Sequence, residues 1–236
     1  MGNEERKHRC IDIVFCIDGT GSMSDCINAV KENAQNFYSM FAEEIIRCNS
    51  DIDSTRVKVI VFRDYGCDGD DSMQISDFFY LGGSNGVDDT ADYEKFLNNV
   101  SASGGGDGPE NGLEALFYAM QSEFDNSSKN NRQVIVMFTD ADALDLGARK
   151  ESSVYPADMV DMPGLTKMWI GKDQERVGYL NQRTKRLVIF APKGTKYEEL
   201  AKSWNLTWFK AVESDGGLKD ITFEDIIKLI SKSATA

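Results

Sequence analysis

This sequence holds a single histidine, four prolines and five cysteines. Each scarcity excludes something. His8, the lone imidazole, sits in a charged N-terminal stretch, so a histidine-dependent catalytic triad would have to recruit it from there, and hydrolase schemes of that type fall away. Cys10, Cys16, Cys26, Cys48 and Cys67 are odd in number and form no C-x-x-C pair, which offers neither a zinc knuckle nor a disulfide framework. Cys16 lies inside an apolar run and is expected to be buried. No apolar run approaches the about 18 residues a membrane span needs. Residues 1–9 lack the apolar core of a signal peptide, and Arg6 stands where a myristoylation signal wants serine or threonine. A cytoplasmic protein is the expectation. Positive charge is short as well: 39 Asp and Glu outnumber 26 Lys and Arg, for a formal net charge of −13. Nucleic acid and anionic membrane would repel such a chain, whereas a divalent cation or a basic protein surface would not.

What is there fits a globular α/β protein. The 41% hydrophobic and 10% aromatic content of 236 residues is enough for a full core. With no internal repeat and no low-complexity linker, the expected organisation is a charged arm at residues 1–10 followed by one domain at 11–236.

The organising stretch is residues 11–24. An apolar, β-branched run ends abruptly in Asp18, then Gly19, Thr20, Gly21 and Ser22 lead at once into an amphipathic helix, which reads as strand, tight loop, helix. Alternate side chains of an extended loop point the same way. Asp18, Thr20 and Ser22 therefore offer one carboxylate and two hydroxyls to a hard cation, which prefers oxygen. Ile27, Val30, Ala34, Phe37, Phe41 and Ile45 then predict a single long helix, with Ser22 or Ser24 as its cap.

Further on, residues 57–62 read as a strand, 68–71 as an acidic loop, and 74–81 as one short edge strand. Tyr93, Phe96, Leu97 and Val100 suit a short helix from Asp89. A glycine-rich loop at 101–110 leads into a helix bearing Leu113, Leu116, Phe117, Met120 and Phe124, with Pro109 expected in its first turn. Residues 133–139 form a near-continuously apolar strand, as in a sheet covered on both faces, and end in Asp140. From 142 to 186 the periodicity is poor, and Pro156 and Pro163 are expected to break helices; the apolar stretch 159–170 either lids the loop face or packs on the sheet. Strands at 187–191 and 206–212, a capping box from Thr195 to Glu198, and a helix striped by Phe223, Ile226, Ile227 and Ile230 complete the chain. Strands alternating with helices imply a doubly wound, mostly parallel sheet of about six strands flanked by helices, the first strand near its middle.

Asp18, Asp107 and Asp140 each lie just past a strand or at a helix entry, on loops that a parallel sheet gathers at its carboxyl edge. The sequences D-G-T-G-S-M at 18–23, G-G-G-D-G-P-E at 104–110 and F-T-D at 138–140 resemble the three metal-site loops of von Willebrand factor A domains. The resemblance implies a Rossmann-like fold with a metal-ion-dependent adhesion site. There a D-x-S-x-S loop, a threonine from a second loop and an aspartate from a third surround magnesium, and a partner's carboxylate completes the shell. It implies Asp18, Thr20, Ser22, Asp107 and Asp140 as metal-site residues, with Mg2+, or Mn2+ or Ca2+, as the ion. Thr20 replaces the usual first serine and keeps the hydroxyl. No threonine stands at the expected place in the second loop; Asp107 is the nearest donor, as in a G-G-G-D-x-P-E variant found in bacterial signalling and tellurium-resistance-associated proteins and in some kinase-fused forms. A direct aspartate would hold the metal more tightly and leave it attracting an external acid less.

The plain readings are a helix cap for Asp18, loop hydroxyls for Thr20 and Ser22, and a favourable helix dipole for Asp107. Asp64 reads as a turn residue or as a support for the first loop; Asp142 and Asp145 read as solvated acids. The cluster Asp68, Asp70 and Asp71 fails as an EF-hand because Phe79 stands where its glutamate belongs. The expected function is a divalent-metal-dependent protein–protein interaction module of an intracellular, bacterial-type signalling or stress-response system, binding a partner's acidic residue and not acting as an enzyme. The alternatives are a magnesium-dependent phosphatase, for which Cys16 occupies the nucleophile's position, a dinucleotide loop, for which Ser24 replaces the third glycine, and a metal-free structural domain.

Overall fold

The computed structural model describes residues 9–83, 86–106, 108–171, 180–213 and 222–235. In chain order these form β1 (Cys10–Asp18), α1 (Ser24–Asn33), α2 (Phe37–Arg47), β2 (Ser54–Phe62), β3 (Met73–Ile75), β4 (Phe79–Leu81), α3 (Thr90–Asn99), α4 (Gly112–Met120), β5 (Arg132–Phe138), α5 (Met162–Ile170), β6 (Lys185–Pro192), α6 (Lys196–Ser203), β7 (Thr207–Val212) and α7 (Phe223–Thr235).

Strand β1 is buried along its whole length. It pairs in parallel with β2 on one side and β5 on the other, and the sheet runs β3-β2-β1-β5-β6-β7, with β4 also on β2. The winding therefore reverses at β1, and the crevice past its carboxyl end is where an open α/β sheet accepts ligands. Ile11, Ile13, Phe15 and Ile17 face one core layer with the stripe Ile27, Val30, Phe37, Phe41 and Ile45 and with Ile226, Ile227 and Ile230. Val14 and Cys16 face the other layer, beneath Leu113, Leu116 and Phe117 of α4 and Leu165 and Trp169 of α5. Two-sided burial explains why β1, β5 and β6 read as nearly unbroken apolar runs.

Several expectations need correction. The sheet has seven strands among the described residues, because 74–81 is two short antiparallel strands on β2 rather than one. Ser76 divides them: its N–H donates to the Val59 carbonyl and its hydroxyl accepts from the Val59 N–H, both at 2.9 Å, so a side chain replaces a rung of the ladder. The long helix is two, α1 and α2, broken at Ala34–Asn36 by tighter turns in which Ala34, Asn36 and Phe37 each donate to the carbonyl three residues back. The break leaves the apolar stripe facing inward. Pro109 lies ahead of α4, whose N-cap is Asn111. Pro163 does not break a helix; it occupies the first turn of α5, capped by Asp161 accepting from the Gly164 N–H at 2.8 Å. Leu165, Met168 and Trp169 bury that helix against the sheet, so the apolar stretch 159–170 packs rather than lids.

Candidate metal centre

Asp18 ends β1 with no exposure, at the reversal point of the sheet. Its Oδ1 accepts from the Thr20 N–H at 3.0 Å and the Thr20 hydroxyl at 2.7 Å, and its Oδ2 accepts from the Thr139 hydroxyl at 2.7 Å. The Thr20 and Ser22 hydroxyls lie 3.3 Å apart, and Ser22 donates to Asp140 Oδ1 at 3.0 Å. Asp18, Thr20, Ser22 and Asp140 thus form one continuous chain of oxygen contacts across two loops. Ser22 does not cap the first helix, and neither does Ser24: residues 21–23 form a short 3-10 turn, and α1 has no side-chain cap. Asp107, the remaining candidate, lies outside the described residues.

The electrostatics are those of buried acids facing one another. Burial is the main reason the Asp18 carboxyl is pushed up to about 6, with Asp140 adding repulsion and the Thr20 and Thr139 hydrogen bonds opposing it. Asp140 is 4% exposed, and its Oδ2 is buried without a hydrogen-bond partner among the described residues. An uncompensated buried carboxylate oxygen is costly. The oxygen-only donor set and this orphaned atom fit a hard divalent cation. Among the described residues no group of three or more acid, histidine or cysteine side chains is placed to hold a metal ion; what the loops bring together is two carboxylates and two hydroxyls.

An open cavity of about 750 Å³ lies over these atoms, lined by Thr20, Ser22, Asp140 and the glycine-rich loop. That loop is held by a residue the sequence reading passed over. Arg63, 2% exposed just past β2, donates from Nε to the Gly19 and Ser103 carbonyls at 3.0 and 2.9 Å, from Nη1 to Asp71 at 2.7 Å and from Nη2 to Ser101 at 2.6 Å. One guanidinium therefore ties the first loop, the acidic loop and the glycine-rich loop together. Its only signal in sequence is a lone cation closing an apolar strand.

The hydrogen bonds of the Asp64 carboxylate go elsewhere than the first loop: it takes a bidentate ion pair from Arg149 at 2.6 Å for both bonds and accepts from the Gly66 N–H at 2.7 Å. Asp68 is more than a solvated acid, since its carboxylate accepts from the Gly105 N–H at 3.1 Å. Asp142 accepts from the Lys196 N–H at 2.8 Å, serving the start of α6 in place of Thr195, whose hydroxyl donates instead to the Pro192 carbonyl. The capping box is thereby displaced by one residue, with Glu198 accepting from the Gly194 N–H. Also missed were Thr139, which orients Asp18, and Glu110, 2% exposed beside the cavity.

The family model for the von Willebrand factor type A domain matches residues 12–174. Among solved structures, the pilus adhesin SpaC from Lactobacillus rhamnosus GG superposes with a TM-score of 0.58 at 12% identity, over 99% of this chain and 32% of that one. A von Willebrand factor type A structure from Catenulispora acidiphila gives 0.54 at 14% identity, over 96% of this chain and 43% of that one. The chain thus spans less than half the length of these neighbours, and at such identities the likeness carries the fold alone. Among curated proteins nothing matches. With the family model covering more than half its length and the fold agreeing, the chain belongs to the von Willebrand factor type A domain family.

Proposed function

We propose that this protein is a divalent-metal-dependent protein–protein interaction module whose docking face is the cavity over Asp18. The observation that carries the reading is the linked oxygen chain Asp18–Thr20–Ser22–Asp140, with the buried Asp140 Oδ2 at its end having no hydrogen-bond partner among the described residues. Asp18, Thr20, Ser22 and Asp140 would hold magnesium or manganese, with Asp107 a further candidate. A bound magnesium would supply residual positive charge that attracts a carboxylate of the partner protein. Thr139 and Thr20 keep Asp18 in one orientation, and Arg63 keeps the surrounding loops in register, so the donors are arranged before any ligand arrives.

An interaction role is better supported than phosphoryl transfer. The aspartyl-phosphate scheme needs a nucleophilic carboxylate two residues before Asp18; Cys16 is there, with no exposure and its thiol pushed well up by burial. A place inside the cell, in a signalling or stress-response system, is part of the proposal. All five cysteines are free, which suits a reducing compartment, and among the described residues no helix is long and apolar enough to cross a membrane.

Calorimetric titration with magnesium tests the metal, and a pull-down in magnesium against EDTA tests its coupling to a partner. Asp18→Ala is expected to abolish magnesium or manganese binding. Unchanged affinity in that variant would end the proposal.

A further inference from the structure

The amino end of the sheet, remote from Asp18, carries a charge pattern that a metal at the carboxyl end leaves unexplained. On the face covered by α7, the inward rows of the three central strands include Ile11 and Ile13 on β1, Val134 and Val136 on β5, and Val188 and Phe190 on β6. Alternate residues of a strand share a face, so the next position toward the amino end is Arg9 on the first row, Arg132 on the second and Arg186 on the third. The register pairs Ile11 with Arg132 and Val134 with Arg186, which sets the three arginines on one diagonal across neighbouring strands. Arg9 Nη2 donates to the Ala234 carbonyl in the last turn of α7 at 2.7 Å, on that same face.

On the opposite face this end of the sheet is balanced, because Arg56 holds Asp12 at 2.8 and 2.6 Å. Here it is not. Among the described residues no acid forms an ion pair with Arg9 or Arg132. Asp53 takes the Arg9 backbone N–H at 2.7 Å, and the guanidinium goes to the Ser50 hydroxyl and the Ala234 carbonyl. Arg132 donates to the Asn130 and Asn131 carbonyls, both at 3.2 Å, and Arg186 to those of Arg183 and Lys185 at 3.1 and 2.8 Å. Nε of Arg9 and of Arg132 is buried with no hydrogen-bond partner among the described residues. Burial pulls all three guanidiniums below the usual arginine value; the charge of Arg132 adds to this at Arg9, and those of Arg132 and Arg9 add to it at Arg186. Arg186 is 6% exposed, whereas Arg9 and Arg132 reach the surface in part, so the cluster is open to a solute.

Like charges held together out of water raise the free energy of the fold, and an anion among them lowers it. The planar fork of a guanidinium matches the oxygens of a phosphate or a carboxylate. Three monocations favour a dianion: a carboxylate would leave two of the charges unbalanced, a phosphate only one. The distant acids that make the whole chain negative are screened beyond about 8 Å at physiological salt, so the local charge decides. We propose that Arg9, Arg132 and Arg186 form an anion site at the amino end of the sheet, and that its ligand is a phosphate group, free or as a monoester. The site is independent of any metal at Asp18 and operates in EDTA.

Calorimetric titration of inorganic phosphate into the whole chain in EDTA, with sodium chloride holding the ionic strength constant, is expected to show saturable binding at one site and weaker binding of acetate. Arg132→Gln is expected to lower phosphate affinity about tenfold, the worth of a hydrogen bond to a charged group. Without phosphate its Tm is expected to be unchanged or raised, since one of three like charges is gone. Arginines that served only to cap backbone carbonyls would give the reverse: a lower Tm in Arg132→Gln and no phosphate binding to lose. Arg132→Lys keeps the charge without the fork; its phosphate affinity is expected to fall less than that of the glutamine variant, and it is the test if the glutamine variant fails to fold. Phenyl phosphate separates the two sources of the ligand: binding as tight as inorganic phosphate assigns a phosphoryl group carried on a larger molecule, and binding of inorganic phosphate alone assigns the free ion. The site is overturned by the absence of saturable phosphate binding, by acetate binding as tightly as phosphate, or by unchanged phosphate affinity in whichever of the two Arg132 variants folds. None of these outcomes bears on magnesium at Asp18.

Discussion

Arg63 has no carboxylate within ion-pairing distance among the described residues and spends its donors on four backbone carbonyls drawn from three loops. Lysine is a point charge with a single nitrogen and cannot reach all of them. Arg63→Lys is therefore expected to lower stability by about 3 kcal/mol, since buried carbonyls lose their donors, and the urea midpoint reads this directly. Glu110 makes a second prediction. In EDTA its carboxyl is pushed up to about 9, first by burial and then by Asp18, against an ordinary value of 4.5. The folded state thus binds a proton the unfolded state has released, and the stability this contributes is complete below pH 4.5 and is lost as pH rises through 9. Glu110→Gln should flatten the fall in unfolding free energy between neutral and alkaline pH; an unchanged slope would show that Glu110 does not hold a proton in the folded state. These residues also mark the limit of sequence reading at the site. That Asp18, Thr20, Ser22 and Asp140 lie together was legible because they stand at or within four residues of the ends of β1 and β5, and strand ends announce themselves. Arg63, Thr139 and Glu110 matter through contacts with loops distant in sequence, which no local pattern encodes.

At the level of elements, periodicity located nearly every helix and strand because a two-sided core imposes it on β1, β5, α2 and α7. It misjudged the places where the hydrogen-bond pattern changes without changing the apolar pattern. Ala34–Asn36 keep Phe37 and Phe41 inward while the helix tightens, so α1 and α2 looked like one element. Ser76 swaps its hydroxyl for a rung of the ladder, so β3 and β4 looked like one. The join between α4 and α6 shows how tightly the second core layer is built. A Cβ on Gly112, at the start of α4, would stand 1.9 Å from the Tyr197 hydroxyl of α6, which is buried and has no hydrogen-bond partner among the described residues. Gly112→Ala should cost about 1–3 kcal/mol through overpacking, and Tyr197→Phe should recover most of that loss by removing the obstructing oxygen. Tyr197→Phe alone should be neutral or stabilising, since it deletes a buried hydroxyl that bonds to none of the described residues. A double-mutant cycle on thermal or urea unfolding checks the coupling, and strict additivity would refute the contact.

Across the whole molecule, β1 carries a buried acid at each end, and their surroundings differ. Asp12, at the amino end, accepts a bidentate pair from Arg56 at 2.8 and 2.6 Å and a third bond from the Asp125 N–H at 2.6 Å. Asp18, at the carboxyl end, has among the described residues only hydroxyls and a backbone N–H as donors, and faces Asp140. One pole is neutralised within the chain. At the other, like charge faces like, in a protein whose net charge of −13 already favours cations over anions. If the ion binds the folded chain and not the unfolded one, magnesium at a hundredfold excess over its dissociation constant should add about 2.7 kcal/mol of stability. For a chain of this size that corresponds to a rise of about 5–10 °C in Tm. Sodium chloride at matched ionic strength would screen the general repulsion without entering the site, so its effect should be smaller. Asp18→Asn separates the two contributions. Above pH 6 the buried Asp18 charge opposes folding because its carboxyl is pushed up to about 6. The asparagine variant should therefore be at least as stable as the unmodified protein in EDTA at pH 7.5, yet gain nothing from magnesium beyond the sodium chloride control. A magnesium response of full size in Asp18→Asn would place the ion elsewhere on the acidic surface and leave the carboxyl end of β1 as a structural feature only.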